Sequence, residues 1–539
     1  MARVHTVAGL ALRGAVVGLL LLAGGVVAAG GAIAGAPAKQ PVSVQPPPRL
    51  DPLTKLDDAE PGKVYLNLSK VKGTMAEGPT DASNAGDRLR YTWALPKGFS
   101  REKPRDLVTL IHNTEQDVMW GHDNYPPGSL GDDLISVAID GTTDRDDGTR
   151  VFAPRPTDIV IYRDFILEMT RTIPCRRIIH YGLAEGGMFA TVFGGRFPAL
   201  SMGIIAHNSG SAQISATKGG VLGVPIVLLA GTDDEQYRMA RSLAAREAYE
   251  FDGHKMVFVH ILPKWQDQPC PAAVRHGVDL CVGLATDDPE EALDRAERLM
   301  RPGETVRGKP VPPALHMARA VLKRVDLEPP PEQKRDPNIP GGGLRGAKSF
   351  PTAFKKLPPE IRQKAVAHAA VIEGWAQKAL TPLRQRVGTA EKLRAAVKTD
   401  PKADKATQAK QLREAARTIG TLWLLREQLR GVDAMETLAA DCKLDELLTE
   451  RADAGDELVE KLAAQPPAAE AMSAITDALH GVAGYHSLPM DLAQQARKLT
   501  KATGVATDAA DTLPLIEAVM EGFDQAVGDF ATLMATWSK

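Results

Sequence analysis

The chain has 539 residues and a formal net charge of only −2, so nothing in its charge balance points to a nucleic-acid-binding surface. Aromatic residues make up 5% of it, and Ala, Gly and Pro are plentiful instead. It has four cysteines, Cys175, Cys270, Cys281 and Cys442, and no C-x-x-C pair, which argues against a thiolate zinc site. No glycine-rich phosphate loop is present, because Gly341-Gly342-Gly343 lies in a Pro-rich segment that follows no strand pattern. Asp144-Arg145-Asp146-Asp147-Gly148 lacks the spacing of a calcium loop and reads as a solvated turn. Trp120-Gly121-His122-Asp123 offers a His and an Asp with no partner at metal-ligand spacing. Neither a cofactor nor a metal is implied.

What is present is enough for at least two domains, with 44% hydrophobic and 24% charged residues. Arg3 and Arg13 precede an uncharged run from Gly14 to Ala38 centred on Leu19–Leu22, with Ala32-Ile33-Ala34 as a small-x-small cleavage candidate. Residues 1–36 are therefore expected to be a signal peptide, or else an N-terminal anchor long enough to span a bilayer. Export is implied either way, released or tethered at the outer face of a membrane. Residues 37–60, with Pro46-Pro47-Pro48, read as a tether. Export permits disulfides, and Cys270 with Cys281 is a candidate pair that the sequence leaves open.

Short apolar runs then alternate with helical stripes. Arg88–Leu95, Asp106–Ile111, Leu134–Ile139, Met202–Ala206, Val224–Ala230 and Lys255–Leu262 read as strands. Thr157–Thr172, Glu235–Phe251, Ala292–Met300 and Leu315–Val325 read as helices. The pattern predicts an α/β domain over residues 61–326, with a mainly parallel sheet covered by helices on both faces. Such sheets place their sites at the carboxyl ends of the strands. Residues 327–352 form a Pro/Gly-rich linker. Residues 353–539 carry helical stripes such as Ile361, Ala365, Ile372 and Ala379, and predict a separate all-α domain built as an antiparallel bundle.

The stretch Arg176–Pro198 organises the first domain. An apolar run ends in Gly182-Leu183-Ala184-Glu185-Gly186-Gly187, and a short helical stretch follows. Strand, tight glycine turn and helix is the setting of the G-x-S-x-G nucleophile elbow. Here the spacing is intact and the centre is Ala184. Glu185, one residue on, is expected to face away from the cleft.

On this turn, the strand order around it and two later loops, residues of about 85–300 resemble the α/β-hydrolase superfamily, in particular exported esterases. The resemblance implies a nucleophile, an acid and a histidine in that chain order. It puts the acid at Asp233 or Asp234, although an Asp there also suits a helix N-cap. It puts the histidine in Pro263–Pro269 beside Trp265, at Asp267, or at Gln266 with a one-residue slip. It places His112-Asn113 at the oxyanion loop, where His-Gly would be usual. His260 reads as a core histidine, and His276, close downstream, as a substitute if the loop folds back. The triad is thus degenerate at Ala184 and Asp267. The expectation is an exported, catalytically inactive protein that binds a small molecule or a protein partner in the cleft, with Gly182, Leu183, Glu185, His112, Asn113 and Trp265 lining it. The alternative is an active esterase with a different constellation.

Overall fold

In the computed structural model, the described residues are 47–75, 85–113, 116–144, 150–152, 155–209, 224–233, 242–243, 245–246, 249–250, 253–265, 268–306, 309–327, 353–400, 402–447 and 507–538. The signal or anchor segment, the linker, Asp234, Gln266, Asp267 and most of the Glu235–Phe251 helix lie outside them. Arg49–Lys539 form one compact unit. Among the described residues, no helix is long and apolar enough to cross a membrane.

Among the described residues, ten strands make the central sheet. They are β1 (Tyr65–Met75), β2 (Ala85–Ala94), β3 (Arg105–Ile111), β4 (Leu134–Ile139), β5 (Thr143–Asp144), β6 (Arg150–Val151), β7 (Cys175–Leu183), β8 (Gly203–His207), β9 (Ile226–Gly231) and β10 (Val257–Leu262). Their order is β10-β9-β8-β7-β3-β4-β2-β1-β5-β6. The six strands from β10 to β4 are mutually parallel, and β2 runs against both β4 and β1. This is the mainly parallel α/β-hydrolase-like sheet that the sequence predicts. The chain steps from β3 to β4 on one side and then from β7 outward on the other, so the β3/β7 junction is the switch point where such sheets form their sites.

Helices cover both faces. Neighbouring residues of a strand point to opposite faces. Gly194, in the helix α3 (Glu185–Arg196), lies against Ile204, whereas Gly277, in α4 (Pro271–Ala285), lies against the next residue, Ile205. Among the described residues, this region also holds α1 (Trp120–Asn124), α2 (Pro156–Thr172), α5 (Pro289–Leu299) and α6 (Leu315–Leu322). β3, β4 and β7 to β9 bury nearly every side chain, as strands covered on both sides must.

The helical region contributes α7 (Pro359–Val387), α8 (Lys405–Gln428), α9 (Asp433–Asp441) and α10 (Thr507–Ala535). Its buried stripe includes Ile361, Ala365 and Ile372, with Ile419, Leu422 and Trp423 on α8 and Phe530 and Met534 on α10. The antiparallel expectation does not hold for α8 and α10. Gly522 meets Arg413 and Ala416, and Gly420 meets Ala526, so positions climb together and the two helices run in the same direction. The long connection between them, residues 429–506, leaves the direction free.

The Cys270–Cys281 pairing is also corrected: all four cysteines are free thiols. Cys270 stands at the start of α4 and Cys281 eleven residues along it, roughly 16 Å away at 1.5 Å per residue. A disulfide needs α-carbons within about 7 Å. Cys281 instead packs against Gly203.

Candidate functional site

The register of the sheet sets the site. Ile111 pairs with Ile139 on one side and Gly182 on the other, and Leu183 pairs with His207. The residues just past these strand ends, Asp140, His112, Ala184 and Asn208, therefore come out along one edge of the sheet, at the switch point.

Ala184 has φ 50° and ψ −116°. That conformation is costly for any residue with a Cβ. It is held from both sides: the Ala184 N–H donates to the His207 carbonyl at 2.9 Å, and its own carbonyl accepts from Met188 N–H at 3.1 Å. The flanking glycines allow the close approach. A Cβ on Gly182 would fall 2.2 Å from the Gly186 backbone, and one on Gly186 would fall 2.4 Å from the Ile111 carbonyl oxygen. The strained elbow is thus built in full around a methyl group. Ala184 is 5% exposed, Leu183 is buried behind it, and Glu185 opens α3 on the exposed side.

His112 and Asn113 follow β3. His112 Nδ1 donates to the Asn113 carbonyl at 2.7 Å, and the Asn113 N–H donates to Gln116 Oε1 at 2.9 Å. The backbone N–H that an oxyanion role would use is therefore already engaged. The His112 ring stands edge-on to Phe152, which in turn packs against Phe189 of α3. Its Nε2 lies 3.7 Å from Asp140 Oδ1, close but not hydrogen-bonded. Asp140 is 1% exposed and receives Arg90 Nε at 2.7 Å, with Arg150 Nε at 3.9 Å. Burial alone would raise the Asp140 carboxyl; His112 and Arg90 outweigh it and hold the group below its ordinary value.

The two later loops meet. The Asp233 N–H donates to the Trp265 carbonyl at 2.9 Å, and Lys264 N–H donates to Thr232 Oγ1 at 2.8 Å. The acid loop and the loop that carries the histidine position are thus tied together at the edge of the sheet. Thr232 Oγ1 donates to Asp233 Oδ1 at 3.1 Å. The Trp265 side chain is wholly buried in the apolar core. Asp234 and Asp267 lie outside the described residues.

His260 and His276 are not at the elbow. His260 is on β10 and His276 on α4, both buried, with His276 Nδ1 and His260 Nε2 3.2 Å apart. Gln428, from the end of α8, reaches His260 Nδ1 at 3.1 Å. A serine and a histidine do meet elsewhere: Ser136 Oγ lies 2.9 Å from His122 Nε2, and His122 Nδ1 lies 2.8 Å from Thr92 Oγ1. Both partners are buried, Ser136 is in the middle of β4, and burial pushes the His122 imidazole down to about 4. This is a core network, remote from the strand ends.

Sequence reasoning missed Asp140, Arg90 and Arg150. A signal was available: Asp140 stands one residue past an apolar run, as His112 does one strand over. It also missed His207, whose Nδ1 is 3.3 Å from the hydroxyl of Tyr181, itself bonded to Tyr125.

No family model and no curated protein matches this chain. Among solved structures it is similar to a carboxylesterase from Mesorhizobium loti, at 16% identity over 38% of this chain and 92% of that one, with a TM-score of 0.29. It is similar to a ferulic acid esterase at 16% identity over 40% and 94%, with a TM-score of 0.33. It is also similar to Est1E from Butyrivibrio proteoclasticus at 11% identity over 36% and 95%, with a TM-score of 0.29.

Proposed function

We propose that the α/β region is a hydrolase-like scaffold without acyl-transfer activity, and that it binds a small molecule or a protein partner at the carboxyl edge of its sheet. The observation that carries this reading is Ala184: the strained elbow position is kept, with a side chain that has no nucleophilic atom. Loss of the nucleophile removes most of the catalysis that such a site performs, leaving at most what binding and charge stabilisation supply. The Asn113 N–H, occupied by Gln116, supports the same reading. The protein is proposed to be exported, with residues 1–36 either cleaved or kept as a tether; N-terminal sequencing of the mature chain decides between the two.

A second reading, an acyl hydrolase with a different constellation, draws on one observation. His112 and Asp140 stand side by side and buried, at the ends of β3 and β4, one and two strands away from the elbow strand.

The experiment is turnover of short-chain p-nitrophenyl esters by the full chain, by Ala184→Ser and by Ala184→Ser/Asp267→His. The expected result is a silent parent, with activity only in the double variant. Turnover by the rigorously purified parent that His112→Gln abolishes would establish the second reading and sink the first.

A further inference from the structure

A cavity of about 370 Å³ lies against the first half of β10, three strands away from the elbow strand. It is within the size range of small-molecule sites. Its walls come from β10, α4, α6 and the end of α8, so it sits where the helical region meets the edge of the sheet. Met256, Phe258 and Leu284 give it an apolar floor.

The polar groups around it are unevenly matched. Its two carboxylates are already taken: Glu250 by Arg430 at 2.6 Å, and Glu427 by Arg246 at 3.1 Å. Lys255, Arg319 and Lys323 remain on the rim. Arg319 reaches Glu373 only at 3.6 Å and Asp433 at 3.9 Å, and its buried Nε makes no hydrogen bond. Lys323 Nζ donates to the Gly431 carbonyl at 3.1 Å and has two further hydrogens. His316 lines the same cavity at 3% exposure, with its ring beside the backbone of Gln428 and Val259 and neither nitrogen in close hydrogen-bond geometry. The Arg319 Nε, buried without a hydrogen bond, is a group of the kind that calls for a partner. An excess of cations beside an imidazole and an apolar floor specifies what that partner is.

We propose that this cavity binds a small amphipathic anion, a carboxylate on an apolar body, with its charge between Arg319, Lys323 and His316 and its apolar part against Met256, Phe258 and Leu284. Burial pushes the His316 imidazole down to about 3, so the ring is neutral and adds a polar wall rather than a charge. The site makes no use of the elbow, so it stands or falls separately from the function proposed above.

The test is calorimetric titration of the full chain with decanoate, with decan-1-ol and with inorganic phosphate. Decanoate is expected to bind with one-to-one stoichiometry and more tightly than either control, because only it has both parts. Lys323→Ala, at an exposed position, is expected to weaken decanoate about tenfold, the loss of one charge-assisted contact. Ala320→Phe, which fills the cavity, is expected to abolish binding. No heat with decanoate, decan-1-ol binding equally well, or decanoate binding that both variants leave within about twofold would each overturn the proposal.

Discussion

The elbow and the seam between β10 and the helical region make opposite use of similar material. At the elbow the backbone is strained and the side chain is inert: Ala184 holds φ 50° under a methyl group. At the seam the backbone is regular and the side chains are the kind that do chemistry. His276 and His316 each lie within ring-contact distance of His260, with centroids 5.3 and 6.2 Å from it, and Gln428 of α8 binds His260, the Ile261 N–H and the Pro313 carbonyl. The difference teaches that neither feature is a sign of activity by itself. The strained turn stands whatever residue is at its centre, because the glycines packed into it hold strand and helix together. A histidine cluster is not by itself a sign of acid–base work where burial holds every ring well below its ordinary value.

The largest effect expected from this contrast is on pH dependence. In the unfolded chain these imidazoles take a proton near pH 6.5. In the folded chain burial lowers all three, His276 to about 4 and His316 to about 3, with His260 lowered as well by burial and by its two neighbours. Below about pH 6.5 the unfolded state binds more protons, so stability falls as pH falls, by about 1.4 kcal/mol per unit for each histidine. Asp279, which burial pushes up to about 6, opposes this by one proton. Urea midpoints at about pH 7.5 and about pH 5 check it; a midpoint that does not drop would mean that the seam is not closed to water.

At the elbow, Gly186→Ala is expected to cost about 3 kcal/mol or more, because the new Cβ would meet the Ile111 carbonyl oxygen at 2.4 Å. Denaturant unfolding measures this, and a loss under 1 kcal/mol would show that the turn is not tightly packed. The smallest effect separates strain from packing. Ala184→Gly relieves the positive φ and loses one buried methyl group, so stability should rise or hold within about 1 kcal/mol. A clear loss would show that the methyl contact outweighs the strain.

Much of the fold is legible in the chain because its signals are local. The runs that end at Ile111, Ile139 and Leu262 mark the ends of β3, β4 and β10. The glycine spacing from 182 to 187 announces the elbow, whose backbone needs those glycines whatever stands at 184. α4 is harder to see. Nearly every residue from Ala272 to Leu284 is buried, so the helix has no polar face to give it a period. The same-direction packing of α8 and α10 is equally hidden, because a stripe of apolar residues does not say which way its partner runs.

By itself, then, the sequence determined the order of many of the elements, the strained turn and the alanine at its centre, all of which rest on residues near one another in the chain. Only the tertiary structure decided that Asp140 joins His112, that Gln116 occupies the Asn113 N–H, and that three histidines from β10, α4 and α6 meet under Gln428. The pairing of His260 with Gln428 spans 168 residues. Such contacts follow from register and from the packing of distant helices, and no local pattern encodes either.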